Sequence, residues 1–436
     1  MDELIVPGPQ ILRGQIDVSG AKNGVLPLIV CSMLTDQEIV LSNVPNLSDV
    51  HTMSNLMRSY GADVYFDQKY KKLHIKCFSI NYSGACDTVK KIRASIWLLA
   101  PLLIRLGKVR MPMPGGCGIG DKKSGARQID LHLDLLAAMG ASIEVRDGYV
   151  LAEIKEKFKA TDFTFKKVSV GATINAILAS VLADGETILR ECAIEPEISE
   201  MCHLLVKMGA KIQGIGTREL VIYGVESLKG AEQKVIPDRI EAGTYLIMAA
   251  ATNGYVKVNG INYSTLESLC NVLELAGNKM EFHDDSISLY SGQQIHPVDI
   301  TTMPFPGFVT DLQAQFMSLM CLSSGTSFIS EKIYDNRFMH VKELNKMGAN
   351  ISIEGSTAKV IGVKELNAAS VKASDLRASV CLVLAGLSAK GVTRIADIHH
   401  LRRGYEDLDL KLAKCGVQVE WSNSVDIISE TVASLV

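Results

Sequence analysis

The sequence predicts an α/β fold of two domains, built from six copies of one unit of about 70 residues, three copies to a domain. Three observations carry this prediction. A glycine-centred phrase returns six times at near-constant spacing. Every copy holds one helix that is apolar nearly all round. A short alternating strand follows each glycine. Self-similarity at a fixed period is read before any single element, because it decides the architecture.

The phrase begins as RSYGADV at Arg58. It returns as AAMGASI at Ala137, VKMGAKI at Val206, ELAGNKM at Glu274, NKMGANI at Asn345 and AKCGVQV at Ala413. Its glycines are Gly61, Gly140, Gly209, Gly277, Gly348 and Gly416, separated by 79, 69, 68, 71 and 68 residues. A helix is expected to end at each, because glycine takes the left-handed C′ conformation without a Cβ clash. Strands follow, such as Asn350 to Ile353 and Lys211 to Gln213. The apolar helix lies earlier in each copy. Its six versions are LPLIVCSML from Leu26, IWLLAPLLI from Ile96, TINAILASVLADG from Thr173, TYLIMAAATNG from Thr244, LQAQFMSLMCLSSG from Leu312 and RASVCLVLAGLSAKG from Arg377. A helix apolar on every face belongs in a core. One small unit cannot bury such a helix alone, so three copies pack with helices inside and sheets outside. The competing arrangement, an open solenoid, would need polar terminal caps that these copies lack. The break falls between the third and fourth copies, near Lys234 to Pro237.

Composition narrows the function classes. The chain has 436 residues, of which 47% are hydrophobic and 21% charged, a globular balance. The opening MDELIVPGPQ carries two acids and no basic run, so no signal peptide is expected. The longest apolar stretch, around Ile96 to Ile104, is too short to span a bilayer. The ten cysteines include no C-x-x-C pair, which argues against zinc and against a disulfide framework and suits a reducing cytoplasm. A net charge of −3 advertises no nucleic-acid face. Any anion site must come from a local cluster.

Such a cluster is visible at the helix starts. These positions carry Lys22 and Asn23, Arg93, Lys167 with Ser169, Arg239 with Glu241, Asp311, and Asp375 with Arg377. Threefold packing brings helix starts to one end of a domain. Helix N-termini with Lys and Arg suit phosphates and carboxylates. The stretch Met111 to Arg127, MPMPGGCGIGDKKSGAR, has five glycines and two prolines and reads as a surface loop. Cys117 sits in it near Lys122, Lys123 and Arg127. A thiol among cations is reactive, whereas the usual lone cysteine is a buried hydrophobe.

These residues resemble the UDP-N-acetylglucosamine enolpyruvyl transferase family over essentially the whole chain. The matching strings are GAKNGVLPL from Gly20, IRASIWLLAPL from Ile92, PGGCGIG from Pro114, ARQIDLHL from Ala126, KVSVGAT from Lys167, EPEI from Glu195, PDRIEAGT from Pro237, TDLQAQF from Thr310, NRFMHV from Asn336, DLRAS from Asp375 and RGYE from Arg403. The family fold is a pair of inside-out α/β barrels of three units each. The resemblance implies one domain over 22–236, carrying the Cys117 loop, and a second over 237–436 with 1–21. It implies transfer of the enolpyruvyl group of phosphoenolpyruvate to the 3′-hydroxyl of UDP-N-acetylglucosamine, without metal or cofactor. Carried over residue by residue, Lys22, Asn23, Arg127, Arg377 and Arg403 would hold phosphoenolpyruvate. Cys117 would protonate C3 or form a thioketal, and would be the thiol alkylated by the epoxide fosfomycin. Asp311 would take the hydroxyl proton, with Lys22 also catalytic. Asn23, Arg93, Arg127, Gln128, Ile129, Asp130, Leu131, Lys167, Val168, Ser169, Val170, Asp311 and Ile333 would meet the sugar nucleotide.

In the family an arginine follows the loop cysteine more closely, so DKKSG at 121–125 reads as an insertion. Arg402 stands beside Arg403, and the choice between them rests on RGYE. Thr310 and Gln313 have capping-box spacing, which leaves Asp311 free in the first turn. Two other readings share the repeats. An enolpyruvylshikimate phosphate synthase is opposed by the cysteine loop and by KVSV. A non-catalytic sugar-nucleotide-binding paralogue is opposed by the joint presence of Lys22, Cys117, Asp311 and Arg403. The partners expected are small molecules, with no nucleic acid and no membrane insertion; the sequence does not define an oligomeric state.

Overall fold

The computed structural model describes residues 3–81, 87–115 and 129–422. These form two compact units, one of residues 19–115 and 129–238, the other of residues 3–18 and 239–422. Each has its own hydrophobic core.

The first unit contains α1 (Lys22–Cys31), α2 (Ser48–Ser59), α3 (Leu99–Leu106), α4 (Asp130–Ala138), α5 (Val170–Ser180) and α6 (Pro196–Lys207). The second contains α7 (Arg239–Ala251), α8 (Glu267–Leu275), α9 (Gln313–Met320), α10 (Val341–Lys346), α11 (Leu376–Ser388) and α12 (Leu408–Lys414). The odd-numbered helices are the apolar ones. All thirteen residues of α7 are buried, as are Leu376–Leu387 of α11 and Ala172–Ser180 of α5. In the second unit α7, α9 and α11 pack on one another, and in the first α3 packs on α5. A helix without a polar face has no position except between other apolar surfaces.

The even-numbered helices are the ones that stop at the repeated glycines. Gly61, Gly140, Gly209, Gly277, Gly348 and Gly416 all have positive φ, between 76° and 105°. Each donates its N–H to a carbonyl three residues back, and the next residue reaches five back, as Ala62 does to Met57 at 3.1 Å and Ala210 to Leu205 at 2.9 Å. This is the Schellman pattern, which satisfies the last carbonyls of a helix. A side chain at these six positions would be strained by the left-handed backbone.

The strands form six separate sheets among the described residues, five of four strands and one of three. Every four-stranded sheet has one parallel pairing and two antiparallel ones, while the three-stranded sheet is antiparallel throughout. Strands Glu3–Gly8 and Arg13–Asp17 pair with Gly391–Ala396 and Tyr255–Asn259, inside the second unit. Strand Ala231–Lys234 returns to pair with Ile39–Ser42.

Two sequence expectations change. The starts expected at Lys22 and Arg239 are those of α1 and α7, but Arg93 and Asp311 lie in 3₁₀ turns, ahead of α3 at Leu99 and α9 at Gln313. The expected loop loses its first two residues: Met111 and Pro112 close the strand Lys108–Pro112, paired with Val150 and Tyr149. Proline is tolerated there because it stands at the last position of the ladder.

Candidate active site

In the first unit three groups of expected ligand contacts lie together. Arg93 begins a 3₁₀ turn, Arg93–Leu98, that runs into α3. Ile129, Asp130 and Leu131 start α4, and Lys167, Val168, Ser169 and Val170 lead into α5. Ser169 caps α5 through Oγ, which accepts from Ala172 N at 3.3 Å. Asn175 ties the three together: its Nδ2 donates to Ile96 O at 3.1 Å and to His132 Nδ1 at 2.9 Å. Burial, with the charge of Arg93 second, lowers the His132 pKa to about 3. The ring is therefore neutral, and the Asn175 bond leaves its hydrogen on Nε2. A Cβ on Gly171 would stand 3.1 Å from His132 Cε1 and 3.4 Å from Trp97 Nε1. His132 and Trp97 thus face the start of α5, and neither was singled out from sequence, although both sit inside quoted strings.

Lys22 and Asn23 occupy the first turn of α1. Lys22 donates its N–H to Asp238 Oδ2 at 3.0 Å, and its Nζ lies 3.6 Å from Asp49 Oδ2. Ala21 N bonds Ile236 O at 2.7 Å, and Ile236 N bonds Glu200 Oε1 at 2.7 Å. A Cβ on Gly24 would come within 2.6 Å of Glu200 Oε2, so only glycine lets α1 approach this carboxyl. Burial pushes the Glu200 pKa up to about 8, against the hydrogen bond from Ile236.

The second unit brings Asp311 and Arg377 together, as their places at two helix starts suggest. Asp311 lies in the 3₁₀ turn Thr310–Leu312 ahead of α9. Arg377 Nη2 donates to Asp311 Oδ2 at 2.7 Å. A second arginine, Arg337, donates Nη2 to Asp311 Oδ1 at 2.6 Å and Nη1 to Thr310 Oγ1 at 2.6 Å. Both guanidiniums are buried. Burial works to lower the pKa of Arg337, and the Asp311 carboxylate outweighs it and raises it. Arg337 stands in the NRFMHV string but had no role assigned. The capping box does not form. The Thr310 hydroxyl goes to Glu331 Oε2 at 2.8 Å instead, and no side chain caps the turn.

Arg377 is aimed by two devices. Asp375 caps α11, accepting from Arg377 N at 2.9 Å and Ala378 N at 3.1 Å. Tyr405 of the RGYE string accepts from Arg377 Nη1 at 3.3 Å and meets Thr244 Oγ1 at 2.9 Å. Arg403 lies in the 3₁₀ turn Ile398–Arg403, and its neighbour Arg402 stacks on Trp421, 4.6 Å from the ring centre. Ile333 donates its N–H to Glu331 Oε1 at 2.8 Å. Cys117, Arg127 and Gln128, and the insertion 121–125, lie outside the described residues. Among the described residues no group of three or more His, Cys, Asp or Glu side chains could hold a metal ion, and no helix is long and apolar enough to cross a membrane.

The fold is that of the enolpyruvyl transferases. The enolpyruvyl transferase NikO from Streptomyces tendae superposes with a TM-score of 0.87 at 23% identity, covering 97% of this chain and 99% of that one. EPSP synthase from Acinetobacter baumannii gives 0.72 at 15% identity, covering 97% and 100%. The chain belongs to the EPSP synthase (3-phosphoshikimate 1-carboxyvinyltransferase) family, whose profile matches residues 6–412. Within it, a protein of Rickettsia felis named UDP-N-acetylglucosamine 1-carboxyvinyltransferase is 50% identical over 427 residues, spanning 96% of this chain and 100% of its own. The protein of that name in Orientia tsutsugamushi is 50% identical over 422 residues, spanning 96% and 99%.

Proposed function

We propose that this protein transfers the enolpyruvyl group of phosphoenolpyruvate to the 3′-hydroxyl of UDP-N-acetylglucosamine and releases phosphate, the first committed step of peptidoglycan synthesis, in the cytoplasm. The observation that carries this is half-identity along 96% of the chain to relatives bearing that name. In this reading the hydroxyl oxygen adds to C2 of phosphoenolpyruvate while C3 gains a proton from Cys117. Asp311 accepts the hydroxyl proton. The tetrahedral ketal then loses a proton from C3 and phosphate from C2, which restores the double bond. Lys22, Asn23, Arg127, Arg377 and Arg403 hold the phosphate and carboxylate. Fixed cations stabilise the charge that builds there without reorganising. Asn23, Arg93, the residues 127–131 and 167–170, Asp311 and Ile333 hold the sugar nucleotide. We read the architecture as two inside-out barrels of three units, with domains over 22–236 and over 237–436 with 1–21.

The test is phosphate release from phosphoenolpyruvate with each of two acceptors, in the presence of a strong chelator. Release with UDP-N-acetylglucosamine and none with shikimate 3-phosphate is expected. The reverse would assign the chain to the shikimate reaction, and rescue by an added divalent ion would overturn the metal-free mechanism.

A further inference from the structure

Glu331 is a buried carboxyl, 4% exposed, on which four hydrogen bonds converge. Oε1 accepts from Thr302 Oγ1 at 2.9 Å, Ile333 N at 2.8 Å and Tyr334 N at 3.1 Å, and Oε2 accepts from Thr310 Oγ1 at 2.8 Å. The direction of each bond is set by its neighbours. Arg337 has no acceptor, so its bond to Thr310 Oγ1 makes the threonine hydroxyl donate to Glu331. Thr302 Oγ1 likewise accepts from Lys332 N at 2.9 Å and donates onward. Arg337 then completes the path to Asp311 at 2.6 Å.

A carboxyl that only closed the turn at Ile333 and Tyr334 would need neither threonine hydroxyl. We propose that Glu331 is a positioning residue for the acceptor substrate, joining the backbone at Ile333 to the carboxylate of Asp311 through Thr310 and Arg337. The two groups expected to meet the sugar nucleotide on this unit are then held in one frame. A satisfied buried polar network has few alternative arrangements, because every rearrangement leaves a polar atom without a partner. The inference rests on the proposed reaction for the identity of the ligand.

The test compares Glu331→Gln, Thr310→Val, their double variant and Thr310→Ser in steady-state kinetics with both substrates. Glu331→Gln and Thr310→Val each cut the same link, from opposite sides. Each is expected to lower kcat/KM for UDP-N-acetylglucosamine about tenfold, roughly 1.4 kcal/mol, while KM for phosphoenolpyruvate stays within about twofold. The double variant is expected to be no worse than the weaker single one, because one link is lost only once. Thr310→Ser, which restores the hydroxyl, should recover most of the loss. Additive effects, no rescue by serine, or equal rises in both KM values would overturn the positioning role. Circular dichroism identifies a variant that has not folded, and Thr310→Ser against Thr310→Val then decides alone. The wild-type rate with UDP-N-acetylglucosamine reports on the reaction itself, separately from the ratios among variants.

Discussion

Asp311 has one carboxylate oxygen on Arg337 and the other on Arg377, at 2.6 and 2.7 Å. A substitution there acts on the base and on two buried cations at once. Asp311→Asn is expected to lower kcat by roughly 10²- to 10⁴-fold, the range for a general base. Sugar-nucleotide affinity, read by calorimetry, should stay within about tenfold. If the variant keeps a third of the wild-type rate, Asp311 is a helix-start residue only. Asp311→Ala is the poorer probe: it strips the carboxylate from two buried arginines, at a cost of about 3 kcal/mol or more. The cysteines allow a second prediction at this scale. The eight described ones are all buried, and burial raises each thiol pKa, to about 12 for Cys192, Cys202, Cys270 and Cys321. Such thiols react slowly. Fosfomycin should therefore label Cys117, faster with UDP-N-acetylglucosamine present; peptide mapping that finds the label on Cys86 or on a buried cysteine would refute this. Asp311 and Arg377 could be brought to one end of the unit from sequence, because both stand at the starts of apolar helices in equivalent copies. Arg337 and Glu331 could not: they lie in irregular chain, where no period says which way a side chain points.

At the scale of the element, the helix stops were legible because their cause is local. Six glycines with one spacing imply six left-handed residues, and the backbone has them. Burial of α7 on every face followed from its composition, since no polar stripe was available to face water. What sequence did not reveal was the route of the capping bonds. The Thr310–Gln313 spacing fits a capping box, but the hydroxyl found a buried carboxylate in another segment, a tertiary partner that no local rule reports. Asp375 is the opposite case, a cap that forms and also starts the helix bearing Arg377. Asp375→Ala removes acceptors from two N–H groups, Arg377 and Ala378. It is expected to destabilise the protein by about 1 kcal/mol, within the range for lost N-caps. It should also raise KM for phosphoenolpyruvate several-fold, because the first turn of α11 frays under Arg377. Urea unfolding and steady-state kinetics check the two parts. Asp375→Asn, which still accepts at Oδ1, should restore most of both, and an Asn variant as poor as Ala would show that charge, not capping, is at issue.

For the whole molecule, stability should fall on both sides of a mildly acidic optimum, from groups buried in the wrong protonation state for water. Burial raises Glu200 to about 8 from an ordinary 4.5. Between those values the folded chain keeps a proton that the unfolded chain has released, so stability declines as pH rises through that window. His132 runs the other way. Burial and Arg93 lower it to about 3 from 6.5, so the unfolded chain binds a proton that the folded chain refuses. Stability declines as pH drops below 6.5. Burial lowers the pKa of His340, in the second unit, and adds to the acid limb. The two limbs oppose each other between 4.5 and 6.5, which places the optimum there. Each shift of this size corresponds to a few kcal/mol at most, about 1.4 per pKa unit. Glu200→Gln separates the limbs, since its carbonyl can still accept from Ile236 while its amide carries no charge at any pH. Thermal melts from pH 4 to 9 should show the variant several degrees above wild type at pH 8.5 and nearly level with it near pH 5, with the acid limb unchanged. An alkaline limb that survives in the Gln variant would mean that another group carries it, and that Glu200 holds Ile236 beside Lys22 without setting the pH range of the fold.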